Sequence, residues 1–190
     1  MSILSREATV AGPGFNRWMV PPAAIAVHMC IGQVYAFSTF NKALSEELGE
    51  PVSVIQWAYS VGLIMLGLSA ALFGKWVERS GPRKTMLVSA ACFCGGLLLS
   101  ALAVKLKSLW LLLVAYGLLG GIGLGLGYIS PVSTLVKWFP DRPGMATGMA
   151  IMGFGGGAMV GSPLATYLKN NVFKTETDPG VYQTFIAMAA

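Results

Sequence analysis

Few side chains in this sequence could do chemistry inside an apolar interior, and His28 heads them as the single histidine of the chain. It lies in a long uncharged stretch, and an ionisable group in such a place marks either a functional site or a satisfied structural contact. One reading makes it hydrogen-bonded to a neighbouring helix. The other makes it substrate-facing or proton-sensing, since an imidazole changes charge near neutral pH. On a helix of 3.6 residues per turn, His28, Gly32, Tyr35 and Thr39 fall on one stripe, while Gln33 lies on another. Gln56 and Tyr59 are three residues apart and therefore neighbours on a helix face. Farther along come Tyr128 and Ser130, next to Pro131, which frees a backbone carbonyl. Hydroxyls, amides and rings of this kind hold a small ligand by hydrogen bonds and aromatic contact. They assemble no nucleophile with its base, so no enzyme chemistry is assigned. Cys30, Cys92 and Cys94 sit in apolar stretches without partner ligands or a disulfide pattern, and read as small hydrophobes.

The elements that position these groups follow from composition. Of 190 residues, 55% are hydrophobic and 11% charged, against roughly 25% charged in soluble globular domains. With a mean hydropathy of +0.66, the chain has more apolar surface than one water-surrounded core can hide, because a chain this short buries only about 70% of its surface. Its solvent is lipid. A helix crosses a bilayer with about 20 mainly apolar residues and satisfies its own backbone there. The apolar runs predict an all-α integral membrane protein with spans at about 18–40, 52–77, 84–104, 109–138 and 143–168. A sixth begins near residue 181 and is cut short at 190. Residues 1–17 form a polar tail, and the apolar run behind it is too long for a secretory signal. Pro21 and Pro22 open the first span, where missing amide donors cost least, and a polar loop at 41–51 closes it.

Orientation follows from basic residues, which stay cytoplasmic. Arg6, Arg17, Lys75, Arg79, Arg83, Lys84, Lys137 and Arg142 fall on one side, and Lys42, Lys105, Lys107, Lys169 and Lys174 on the other. The balance places the N-terminus in the cytoplasm. Glu46, Glu47, Glu50, Glu176 and Asp178 neutralise the outer bases, whereas Glu7, Glu78 and Asp141 leave the inner side positive.

Several motifs narrow the class. Gly74-Lys-Trp-Val-Glu78-Arg79-Ser-Gly81-Pro-Arg83-Lys84 joins the second and third spans. Taken by itself it is a basic cytoplasmic turn, in which Gly81 permits the bend and the charged groups pair or cap helix ends. It also resembles the signature loop of the major facilitator superfamily, with Glu78 for the more usual Asp and Pro82 where a basic residue is common. The fourth span reads Gly121-Ile-Gly123-Leu-Gly125-Leu-Gly127-Tyr128, followed by the turn Lys137-Trp-Phe-Pro-Asp141-Arg142. The fifth carries Gly153-Phe154-Gly155-Gly156-Gly157 and ends Gly161-Ser-Pro163. Together with Gly32-Gln-Val-Tyr35-Ala-Phe37-Ser38 these stretches closely resemble the oxalate/formate antiporter family within that superfamily.

That resemblance implies the N-terminal six-helix bundle of a transporter, with the C-terminal half outside this chain. It implies a plasma (inner) membrane protein exchanging oxalate for formate or a related monocarboxylate, with no cofactor, metal or nucleic acid. Family members line their cavity with aromatic and amide side chains from the first, second, fourth and fifth spans, which carries Tyr35, Gln56, Tyr59 and Tyr128 over as cavity residues. His28 and Gln33 join them as polar groups at membrane depth. For Tyr59 the competing reading is an interfacial belt residue. The loop with Gly74, Glu78, Arg79, Gly81, Arg83 and Lys84 becomes a cytoplasmic gate. Gly121 and Gly125, and Gly153, Gly157 and Gly161, recur every four residues and offer bare backbone, either for sliding helices or for static close packing. A small carboxylate in a low-dielectric cavity needs a cationic partner, and the spans supply none at their centres. Proton-coupled monocarboxylate symport and a non-transporting membrane scaffold remain the alternatives.

Overall fold

The computed structural model describes residues 9–175 and 179–189. Arg6, Glu7, Glu176 and Asp178 of the loop charges, and the last residue of the sixth span, lie outside the described residues.

Among the described residues, five helices are long and apolar enough to cross a membrane: α1 Arg17–Leu48, α2 Val52–Ser80, α3 Pro82–Lys105, α4 Leu109–Trp138 and α5 Pro143–Val172. A shorter helix, α6, covers Val181–Ala189. Helix ends carry the expected punctuation. Pro82 and Pro143 occupy first-turn positions in α3 and α5, where a proline forfeits no hydrogen bond. Gly81 joins α2 to α3 with φ +81°, a conformation that a side chain resists. Its N–H donates to Val77 O, and its own carbonyl accepts from both the backbone N–H and the Oγ1 of Thr85.

One sequence expectation is corrected here. Residues 41–51 read as a polar loop, yet Asn41–Leu48 continues α1 as helix and ends at Gly49, φ +70°. Ala43 and Leu44 explain the difference, because both are buried against the core. An apolar face on a polar segment is enough to hold two more turns.

The order of packing is not the order of the chain. Helix α4 lies at the centre, against α2 on one side, α3 on another and α1 on a third; α1 also runs along α5, and α3 along α6. The consecutive helices α2 and α3 meet only slightly. Glycine backbones form these seams. A Cβ on Gly121 would lie 2.7 Å from Gly62 O, and one on Gly125 would meet Leu66 O at 2.5 Å and collide with Ser69 Oγ. On the α3 side, a Cβ on Gly123 would lie 2.5 Å from Phe93 N. Between α1 and α5, Cβ atoms on Gly153, Gly157 and Gly161 would meet His28 Cβ at 2.9 Å, Met29 O at 2.5 Å and Gln33 Cβ at 3.0 Å. Large apolar side chains such as Trp57, Leu72, Trp110 and Met159 point outward, as they do when the surroundings are lipid tails.

Candidate functional site

The site begins with a change of helix type. Within α1, Val20–Gly32 is α-helical and Gln33–Phe40 is a 3-10 helix. Val34, Tyr35, Phe37, Thr39 and Phe40 are β-branched or aromatic, types that hold an α-helix less well than leucine or alanine. At three residues per turn, side chains at i and i+3 stand in register. Val34, Phe37 and Phe40 therefore form one buried row, each at most 2% exposed. Tyr35, Ser38 and Asn41 form the adjacent row. Two donors from other spans fix the segment: Tyr116 Oη donates to Val34 O at 3.3 Å, and Lys169 Nζ donates to Thr39 O at 2.8 Å.

The second row opens on a pocket of about 280 Å³ lined by Tyr35, Phe37, Ser38, Asn41, Gln56 and Tyr59. Phe37 stacks on Tyr59 with ring centroids 6.0 Å apart, which seats the Tyr59 ring against the bundle core. The lining offers hydroxyls, amides and rings, and carries no charge. Asn41 Oδ1 is buried with no donor.

Behind Tyr35 stands a cluster of rings from three helices. Phe154 of α5 packs edge-on to Tyr35 at 5.2 Å and to Tyr128 of α4 at 5.3 Å, and His28 packs edge-on to Tyr128 at 5.4 Å. The His28 and Phe154 centroids are 6.3 Å apart. His28 is fully buried, with Nδ1 3.0 Å from Ala24 O. A carbonyl only accepts, so Nδ1 carries a proton, and Nε2 makes no hydrogen bond. That hydrogen bond lies within its own helix.

The structure thus gathers Tyr35, Gln56 and Tyr59 around one pocket, with His28 and Tyr128 one ring behind. Gln33 stands apart, as its separate stripe implies: its Nε2 donates to Met188 O of α6 at 3.2 Å. It lines a largely apolar groove of about 580 Å³ among Met29, Cys30, Cys94, Val160 and Leu164. Sequence reading missed Ser38 and Asn41, whose alignment with Tyr35 exists only at a period of three. It also missed Phe154 as a site residue, although an isolated aromatic in a glycine run was the visible signal.

At the other end of the bundle, ion pairs tie helices together. Glu78 of α2 meets Lys137 of α4 at 3.1 Å. Arg17 makes a two-pronged pair with Asp141, Nη1 to Oδ1 at 2.8 Å and Nη2 to Oδ2 at 3.1 Å, and lies over the Phe139 ring. The bonded guanidinium holds the Asp141 carboxyl below its usual value. Glu78 and Lys137 also line a small cavity with Gly81, Ser130 and Thr134. Arg79 occupies the last turn of α2, where its charge suits the helix dipole. A Cβ on Gly74 would meet Ile129 Cδ1 at an ordinary 3.6 Å.

Membrane-length helices joined at glycine seams define a polytopic membrane protein built as a helical bundle. Residues 23–175 match the Major Facilitator Superfamily, and the chain belongs to that family. It is 36% identical to YhjX of Escherichia coli (strain K12), an uncharacterised MFS-type transporter, over 92% of this chain and 41% of that one. It is 28% identical to apicoplast pyruvate carrier 1 of Toxoplasma gondii, over 77% of this chain and 34% of that one. Against the oxalate:formate antiporter of Oxalobacter formigenes it is 26% identical, over 78% of this chain and 35% of that one. The chain therefore spans well under half the length of these relatives.

Proposed function

We propose that this chain is the N-terminal bundle of a secondary transporter that moves a small organic anion across a bilayer by alternating access. The observation carrying the proposal is the uncharged pocket of Tyr35, Ser38, Asn41, Gln56 and Tyr59, backed by Phe154, Tyr128 and His28. The printed names of relatives, a carrier of pyruvate and an antiporter of oxalate and formate, support a carboxylate. Since an unpaired carboxylate is costly in a low dielectric, the cation that receives it comes from a second bundle, which accounts for the remaining length of the relatives. Within this class we favour exchange of oxalate for formate or a related monocarboxylate.

The basic loop of Gly74, Glu78, Arg79, Gly81, Arg83 and Lys84 serves as the gate on the cytoplasmic face of the inner membrane, with Glu78 latched to Lys137 in the closed form. Gly121, Gly125, Gly153, Gly157 and Gly161 provide the smooth seams. In proteoliposomes holding the full-length protein and loaded with formate, labelled oxalate should enter against a gradient of formate leaving. Absence of exchange with any small carboxylate would sink the reading.

The bare Nε2 of His28 favours a second reading, proton-coupled monocarboxylate symport. Under symport, uptake acidifies the vesicle lumen, and His28→Gln loses that acidification. Under exchange, the lumen pH stays flat.

A further inference from the structure

Gln33–Phe40 runs as 3-10 helix for longer than that form sustains by itself, since its hydrogen bonds are poorer than those of an α-helix and long runs are uncommon. The α-helix holds on both sides, at Val20–Gly32 and Asn41–Leu48. Groups outside the segment therefore hold it, and two are in place: Tyr116 Oη on Val34 O and Lys169 Nζ on Thr39 O. They differ in freedom. Tyr116 is buried in the core, whereas Lys169 is half-buried and stands on the π-helical turn Leu168–Val172 that ends α5. Single π-helical turns recur at functional sites. The ammonium bond is also the stronger of the two, because it is charge-assisted.

The geometric effect of losing it follows from the two helix forms. Each residue that passes from 3-10 to α turns whatever follows by about 20° and shortens the helix by about 0.5 Å. Tyr35, Ser38 and Asn41, which line one pocket, share a row only at three residues per turn. On the α period Thr39 moves toward the Tyr35 stripe and Asn41 leaves it, so the polar row is scattered. We propose that Lys169 is a positioning residue: its hydrogen bond to Thr39 O holds Gln33–Phe40 in the 3-10 form and so aligns Tyr35, Ser38 and Asn41, and its release lets the segment revert to α-helix. The consequence for transport rests on the anion-transport reading; the helix form does not.

Cysteine labelling reads the helix form directly, because Lys169 binds the backbone of residue 39 and a side-chain change there leaves the bond in place. In the full-length protein, with Cys30, Cys92, Cys94 and any other native cysteine replaced by alanine, Ser38→Cys should react with a water-soluble thiol reagent several-fold faster than Thr39→Cys. Lys169→Met should bring the two rates together. Lys169→Gln, too short to span the same gap, should do the same, while Lys169→Arg, which keeps a charged donor, should preserve the difference. Equal rates with Lys169 in place overturn the proposal, and that measurement needs no variant at 169 to fold. So does a difference that survives Lys169→Met or Lys169→Gln. In proteoliposomes these two variants should raise KM for the transported anion several-fold while kcat changes less, with Lys169→Arg near the unaltered value; a KM unmoved after the labelling pattern is lost overturns the positioning role. If no small carboxylate is carried at all, the transport reading fails, while the labelling ratio still decides what holds the segment.

Discussion

Tyr116 holds the 3-10 segment from outside, and its hydroxyl is the group whose removal tests that role most cleanly. The side chain is buried, donates to Val34 O, and packs on Phe37 with centroids 4.5 Å apart. Tyr116→Phe keeps the ring and deletes only the hydrogen bond, which should cost about 1 kcal/mol and loosen the register of Tyr35, Ser38 and Asn41. A thermal-unfolding comparison in detergent checks the first expectation, and a raised KM for the transported anion checks the second. Phe154 is a stronger case, because its ring touches Tyr35 and Tyr128 and lies beside His28. Phe154→Ala should destabilise by about 3 kcal/mol or more, whereas Phe154→Leu retains most of the volume; equal melting temperatures for the two variants would contradict the clustering. At this scale residue type made His28 visible, while Tyr35, Gln56, Tyr59 and Tyr128 stood out by type together with the family resemblance. It hid Ser38 and Asn41, because a stripe drawn at 3.6 residues per turn passes through Thr39, whose carbonyl is instead the acceptor for Lys169. A local change of helix type leaves little trace in apolar periodicity.

Helix-to-helix contact in this bundle is set by glycine, and the two kinds of glycine predict opposite behaviour. At Gly157 a Cβ would stand 2.6 Å from Gly32 Cα and 2.5 Å from Met29 O, so Gly157→Leu forces α1 and α5 apart. Gly148, two and a half turns earlier on α5, has open space around it. Gly148→Ala should leave folding intact or improve it by up to about 1 kcal/mol through helix propensity, while Gly157→Leu should abolish transport and sharply reduce the yield of folded protein. Similar yields from both would show that the seam tolerates separation. The spacing of four in Gly121 and Gly125 announced a close face. What it could not announce is that α4 has a second one, at Gly123 and Gly127 toward α3, since a helix that is apolar on every face has no periodicity to read. The extension of α1 to Leu48 was hidden for the converse reason, a short amphipathic segment looking polar in sum.

Across the whole molecule, the end bearing Gly81 is fastened by ion pairs between helices far apart in sequence, while the opposite end holds the pocket. Both pairs are exposed enough for solvent to screen them, so neither contributes much to stability; under the gating proposal their part is to bias which end is closed. Reversing Glu78 and Lys137 together, Glu78→Lys with Lys137→Glu, should restore the transport rate that either single reversal changes. A double variant no better than the singles would remove the latch from the account. The Arg17 and Asp141 pair has a defined pH range. Its carboxyl titrates below the ordinary 3.8 in the folded protein, so its contribution is fully present above that value and is lost only as pH falls through the depressed one. Acidification from pH 7 to pH 5 should leave this pair intact, and any change in transport over that interval must come from another group.

The central position of α4 also sets a timetable for assembly. Gly32 and Gly157, which meet in the finished bundle, are 125 residues apart, and at ribosomal rates of about 5–20 residues per second α1 waits about 6 to 25 seconds for its partner. During that interval α1, α2 and α3 have emerged without their principal neighbour, and His28 has no Tyr128 or Phe154 beside it. The imidazole must pass that time against lipid or inside the insertion machinery. Helices α1 to α3 therefore gain their central packing partner only when α4 arrives, and α1 its longest seam only with α5.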